Sequence, residues 1–120
     1  MIVLDASAVL AYVQGERGSD RVEEALPKAV LGAANWSEVL QKVRARNGDP
    51  AIVRTLLLSY GMRIEPVTPS DAEQAAALWQ RGSGLSLGDR LCLALARRLG
   101  VTTLTADRAW GESETVIQIR

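Results

Sequence analysis

Apolar residues in this chain come in short runs that alternate with stretches where they recur every three or four positions. The first run, "MIVL", ends on Asp5 and predicts a buried strand over residues 1–5. Short helices are expected over about 6–13 and 19–26, and "AVLGA" at 29–33 reads as a second strand. A helix follows from Asn35 to about Arg46. In "NGDP", Asp49 suits an N-cap and Pro50 the first helical position. That helix carries Val53, Leu56, Leu57 and Tyr60, with Gly61 placed to end it. A strand near 63–67 comes next, and Thr68, Pro69 and Asp71 start a helix to about Arg81. After the loop "GSGLSLGD", a helix runs from about Leu87 to Leu99 and stops at Gly100. Strands near 101–105 and 115–119 complete the pattern. Alternating elements of this kind predict an α/β fold, a parallel sheet of about five strands between helices.

That architecture gives meaning to acids placed where strands end. Ligands of open parallel sheets bind just outside the carboxyl ends of the strands. Asp5 ends the first apolar run, and "VTTLTAD" carries another into Asp107. Two helix starts near the same edge also carry acids, Glu38 in "NWSE" and Asp89 in "LSLGDR". Two such charges ~5 Å apart repel by roughly 3 kcal/mol at an effective dielectric of 20. A convergent set would therefore hold protons or bind cations, Mg²⁺ or Mn²⁺ above all. Helix capping is the competing explanation. Glu38 lies three residues after Asn35 and Asp89 three after Ser86, the spacing of capping-box acids. Glu38 also stands four residues before Lys42, suited to an ion pair, and Asp5 and Asp107 each suit a cap. Taken singly, each acid fits a cap better than a catalyst. Asp71 stands at the same spacing after Thr68 and serves as an internal control without chemistry. Asp89 has one further feature: on its helix it shares a face with Cys92, Leu93 and Ala96.

Composition removes several chemistries. The chain has 120 residues and no His, so a Ser-His-Asp triad, a Cys-His pair and His-based zinc sites are excluded. The single Cys92 excludes a thiolate zinc site and an internal disulfide, and reads as a core thiol in a reducing, cytoplasmic setting. With 14 basic and 14 acidic residues, any nucleic-acid binding must come from a local patch. A chain of 12.9 kDa is expected to fold as one domain, residues 1–120, exposing about 6,300 Å². No run approaches a membrane span, and the acid in the apolar N-terminus argues against a signal peptide.

Together, "LDASA", "NWSEVL", "LSLGDRLCLALA" and "LTADRAW" resemble the PIN-domain endoribonucleases, and among them the VapC-type toxins of bacterial toxin–antitoxin pairs. The resemblance spans the chain, with the four segments in matching order. It implies a doubly wound parallel sheet presenting Asp5, Glu38, Asp89 and Asp107 as catalytic, metal-binding acids. Ser7 and Thr105 match hydroxyl positions close to that site. It further implies Mg²⁺ or Mn²⁺, hydrolysis of RNA to 5′-phosphate and 3′-hydroxyl ends, a cognate antitoxin, and a homodimer. Arg90 and Arg108 adjoin two of the acids and are candidates for RNA phosphates, although surface salt bridges suit them better. Trp110 is a candidate for stacking on a base or contacting a partner, with packing the stronger expectation. Trp36 and Trp79 read as packing. Among rivals, a phosphoacceptor domain needs a Lys near the last strand, and the lysines here are Lys28 and Lys42. A haloacid-dehalogenase-like phosphatase needs an Asp where Ser7 stands. A non-catalytic interaction module on the same fold remains the alternative.

Overall fold

The computed structural model describes all of residues 1–120. Its elements are β1 (Ile2–Leu4), α1 (Ala6–Val13), α2 (Ser19–Ala25), β2 (Ala29–Gly32), α3 (Ala33–Ala45), α4 (Pro50–Ser59), β3 (Arg63–Glu65), α5 (Pro69–Ala77), α6 (Leu87–Leu99), β4 (Thr103–Thr105) and β5 (Val116–Gln118). Single 3₁₀ turns at Leu26–Lys28 and Arg108–Trp110 complete the set. The five strands form one parallel sheet in the order β3-β2-β1-β4-β5. The order reverses direction at β1, so the crevice at the carboxyl ends of β1 and β4 is the topological switch point where such sheets bind ligands.

Strand alternation builds two layers of core. Leu4 pairs in register with Leu31 and Leu104, and all three face a large apolar cluster with Val9, Val39 and Leu57. Val3 and Val30 point the other way, onto Cys92, Leu95 and Ala96 of α6. Helices therefore cover both faces, as the α/β reading requires. The exposed area of 6680 Å² is close to that expected from mass, which means about two-thirds of the extended chain's surface is buried. No helix is long and apolar enough to cross a membrane.

The helix starts at Asp49, Thr68 and Ser86 are capped by their own side chains as the sequence predicts. Gly61 and Gly100 follow α4 and α6 with positive φ, which a residue bearing Cβ rarely adopts. Two boundaries move. The third helix begins at Ala33 with Gly32 as N-cap, two residues before the expected start, so Asn35 is a helical residue and no cap. The fifth ends at Ala77 instead of about Arg81. Ala75 is its last buried residue, and Trp79 beyond it is 53% exposed, so no packing rewards another turn. Trp79 is thus no packing residue, whereas Trp36 lies against the core.

Candidate active site

Asp5 leaves β1 and enters α1, where its Oδ1 accepts the Ala8 N–H at 2.9 Å. The Ser7 hydroxyl lies 2.8 and 2.9 Å from the two carboxylate oxygens, and the Thr105 hydroxyl donates to Oδ2 at 2.6 Å. The same hydroxyls accept backbone N–H groups beyond β4. Ser7 Oγ takes that of Ala106 at 2.9 Å, and Thr105 Oγ1 that of Asp107 at 3.0 Å. Ser7 and Thr105 therefore stitch the carboxyl ends of β1 and β4 together around one acid. They hold the Asp5 carboxylate in a single orientation.

The shifted start of α3 changes how Glu38 reads. Because Gly32 caps that helix, Glu38 sits in its second turn and caps nothing. The buried Asn35 amide donates to Glu38 Oε1 at 2.8 Å and to the Gly88 carbonyl at 3.1 Å, tying α3 to the start of α6. No ion pair joins Glu38 to Lys42; the salt bridges of the molecule lie elsewhere. Gly88 is what lets the two helices approach, since a Cβ there would stand 2.7–2.9 Å from the Glu38 carboxylate. Sequence reasoning gave Asn35 only a capping role and Gly88 none. Their signal was a buried-side amide at i paired with an acid at i+3, easily mistaken for a capping box. Gly88→Ala is expected to keep or raise the melting temperature, because Ala is the better helix former, by about 0.5–1 kcal/mol. It should displace Glu38 and raise the Mn²⁺ concentration for half-maximal stabilisation severalfold, readable in a melting titration.

Asp89 and Asp107 do cap. Asp89 Oδ2 accepts the Ser86 N–H at 2.9 Å in a full capping box. Asp107 Oδ1 accepts the Ala109 N–H at 2.9 Å at the 3₁₀ turn. Capping uses one oxygen of each, as Asn35 uses one of Glu38, so each of the three acids keeps a second oxygen without a protein donor. Capping and catalysis are compatible here.

Charge shows how far the acids share one place. Burial pushes the Asp5 carboxyl up to about 6 against the donors from Thr105, Ala8 and Ser7, and the Asp89 charge adds to the rise. Burial likewise raises the Cys92 thiol, helped by the negative charges of Asp5, Asp89 and Glu38. Geometry agrees: the Glu38 carboxylate lies against Gly88, beside Asp89 in the first turn of α6, and Asp5 follows Leu4, whose carbonyl Cys92 Sγ reaches at 3.8 Å. Asp107 is linked to Asp5 only through its backbone, whose N–H donates to the Thr105 hydroxyl, while its carboxylate accepts the Ala109 N–H.

As they stand, no three of these side chains are close enough to hold one metal ion. The chemistry of the set still fits a hard divalent cation. Every donor is oxygen, three acids offer a free oxygen, and Asp5 is held in one orientation beside them.

The flanking candidates divide. Arg90 Nη1 donates to the Ala75 carbonyl at 2.8 Å, tying half-buried Arg90 of α6 to α5; its Nε is buried without a partner, and it makes no salt bridge. Trp110 packs against the Val3–Val30–Cys92 cluster with its indole nitrogen buried, which is packing and not a stacking surface. Arg108 is exposed beside Asp107. The control residue differs from its expected role as well. Asp71 is 3% exposed and takes a two-pronged ion pair from Arg98, at 2.8 and 3.2 Å.

A model of the PIN domain matches residues 2–113 of the chain. A VapC ribonuclease of Mycobacterium bovis is 35% identical over 111 aligned residues, covering 82% of this chain and 85% of that protein. Ribonuclease VapC42 of Mycobacterium tuberculosis matches at the same 35% identity and the same coverage. Among solved structures, a toxin–antitoxin complex from Klebsiella pneumoniae superimposes with a TM-score of 0.82 at 20% identity, covering 100% of this chain and 98% of that one. Mycobacterium tuberculosis VapC20, described as a sarcin–ricin-loop-cleaving toxin, gives 0.71 at 20% identity over 95% of this chain and 98% of that one. Those two likenesses speak for the fold, and the sequence relatives for the lineage. The chain belongs to the PIN-domain family, in its VapC group.

Proposed function

We propose that this protein is an Mg²⁺- or Mn²⁺-dependent endoribonuclease, the toxin of a toxin–antitoxin pair, with Asp5, Glu38, Asp89 and Asp107 as its metal-binding acids. The observation that carries this reading is the placement of Glu38 and Asp89 at the start of α6, across from the buried Asp5 that Ser7 and Thr105 hold at the switch point. A bound divalent cation would supply Lewis acidity at phosphorus and a water of lowered pKa. Asp5, fixed by Ser7, Thr105 and the Ala8 N–H, would be the least mobile ligand. Asn35 leaves Glu38 Oε2 free to orient the attacking water and take its proton. Asp89 and Asp107 would each offer the oxygen their caps do not use.

The names of the relatives support RNA as substrate, and the Klebsiella pneumoniae complex supports an antitoxin as partner. Exposed Ile52 and Leu56, one turn apart on α4, support a further protein contact, which we assign to a second copy of the chain. The buried free Cys92 suits the reducing cytoplasm.

Two measurements test the proposal. Purified protein should cleave RNA with Mg²⁺ or Mn²⁺, leave 5′-phosphates, and stop with EDTA. Either metal should also raise the melting temperature, with stabilisation following RT ln(1 + [L]/Kd), about 2.7 kcal/mol at one hundred times Kd. Melting unchanged across a millimolar titration at constant ionic strength, with no cleavage, would instead make the chain an interaction module.

A further inference from the structure

A site built of carboxylates repels the polyanion it has to cut, so cations beside it must hold the strand. Of the two candidates at the acidic edge, Arg90 directs its Nη1 to the Ala75 carbonyl and Trp110 packs against the Val3–Val30–Cys92 cluster. A cleft of about 440 Å³ borders the 107–111 turn on the other side, lined by Arg21, Arg108, Gly111, Glu112, Gln118 and Arg120. It has no apolar lining residue, and its three guanidiniums outweigh the single Glu112 carboxylate. Gln118 ends β5, which runs parallel to β4, so the cleft opens at the sheet edge where Asp107 follows β4.

We infer that this cleft holds the sugar–phosphate backbone of the RNA strand next to the bond being cut, an inference that rests on the ribonuclease reading above. Arg108 is the principal phosphate contact. It is exposed and makes no ion pair, whereas Arg21 donates to the Gln118 carbonyl at 2.8 Å and Arg120 reaches Glu16 at 3.4 Å. Gln118 is the positioning residue. Its Nε2 donates to the carbonyls of Asp107 at 2.8 Å and Gly111 at 2.9 Å, so one buried amide fixes both ends of the turn that carries Arg108. Those two bonds use both amide hydrogens and leave Oε1 as a buried acceptor without a donor. On the ribonuclease reading, the anion delivered beside Asp107 is the RNA backbone, whose phosphates these guanidiniums can hold.

Binding of a short labelled single-stranded RNA, measured by fluorescence anisotropy in EDTA over a salt series, separates the possibilities. Arg108→Gln should weaken binding about five- to tenfold and make the plot of log affinity against log salt shallower by about 0.7, the value of one single-strand phosphate contact. Adding Arg120→Gln should deepen both effects, and Arg108→Lys should restore most of the slope. Lys28→Gln, in the turn before β2 at the opposite end of the sheet, should change nothing. The melting shift with Mn²⁺ should be the same in all of these proteins, which isolates the cleft from the acids. Arg108 variants that bind RNA like the parent, with the parent's salt slope, overturn the cleft assignment and leave the ribonuclease reading standing. A parent that neither binds nor cleaves RNA overturns both.

Discussion

Asp5→Asn is expected to lower metal-dependent RNA cleavage by more than about 100-fold while making the metal-free protein more stable at neutral pH. Loss of an outer hydrogen-bond partner alone costs a metal site up to about 100-fold. Asp5 is proposed to touch the ion directly, and a neutral amide is a poor ligand for it. The gain in stability follows from the direction in which the carboxyl is shifted. Burial raises it from 3.8 to about 6 in the folded chain, so between those values the folded state holds a proton that the unfolded state has released. The stabilisation from that proton is complete below 3.8 and is lost as pH rises through about 6. The loss is on the order of 3 kcal/mol. Asn carries no charge at any pH and escapes this loss, keeping an oxygen for the Ala8 N–H. Melts of parent and variant in EDTA, from pH 4 to 7.5, should coincide at the acid end and separate upward, the variant being the more stable. A parent that gains stability relative to Asp5→Asn over that range would show that the hydrogen bonds from Thr105 and Ser7 outweigh burial.

What was legible in the sequence followed from periodicity and strand ends. Apolar runs located β1, β2 and β4, and the doubly wound order places Asp5 and Asp107 after neighbouring strands at the switch point. Capping chemistry was legible too, because Asp49, Thr68 and Ser86 act through groups two or three residues away. Contacts between distant segments were not. The Asn35 bonds to Glu38 and Gly88 depend on α3 starting at Ala33 behind Gly32, where a Cβ would crowd Asn35 Oδ1 at 3.1 Å. Arg90 beside Asp89 looked like a candidate for phosphate until α5 placed the Ala75 carbonyl under it. Gln118 looked like an ordinary strand residue, and nothing local signals that it holds a turn seven to eleven residues earlier. Sequence showed which residue types sat near the edge; tertiary packing decided which of them were free.

The sharpest expected contrast is between Asp71→Asn and Asp89→Asn, two acids at the same position of separate capping boxes with opposite surroundings. Capping alone predicts the same small loss for both. Asp71 is nine-tenths buried and faces Arg98, whose side chain is 31% exposed. Burial would raise its carboxyl, yet the Arg98 and Thr68 bonds hold it below the usual range. Breaking a fully buried pair costs about 3–5 kcal/mol. Partial exposure of Arg98 softens this, so Asp71→Asn should cost about 2 kcal/mol and lower the melting temperature by roughly 10 °C. That contribution is present above the ordinary Asp value of 3.8 and is lost as pH falls through the lower folded value. The gap between parent and Asp71→Asn should therefore narrow as pH falls below 3.8. Cleavage per folded molecule should survive, since Asp71 lies away from the acids around α6. Asp89 faces other carboxylates and has no basic partner. Asp89→Asn should leave the metal-free melting temperature unchanged or higher, because one of several crowded charges is gone. It should also abolish both cleavage and the melting shift with Mn²⁺. Melts with and without Mn²⁺, beside a cleavage assay on total RNA, read all of these at once. An Asp89→Asn protein that cleaves like the parent and melts slightly lower would reduce Asp89 to a helix cap and remove it from the site.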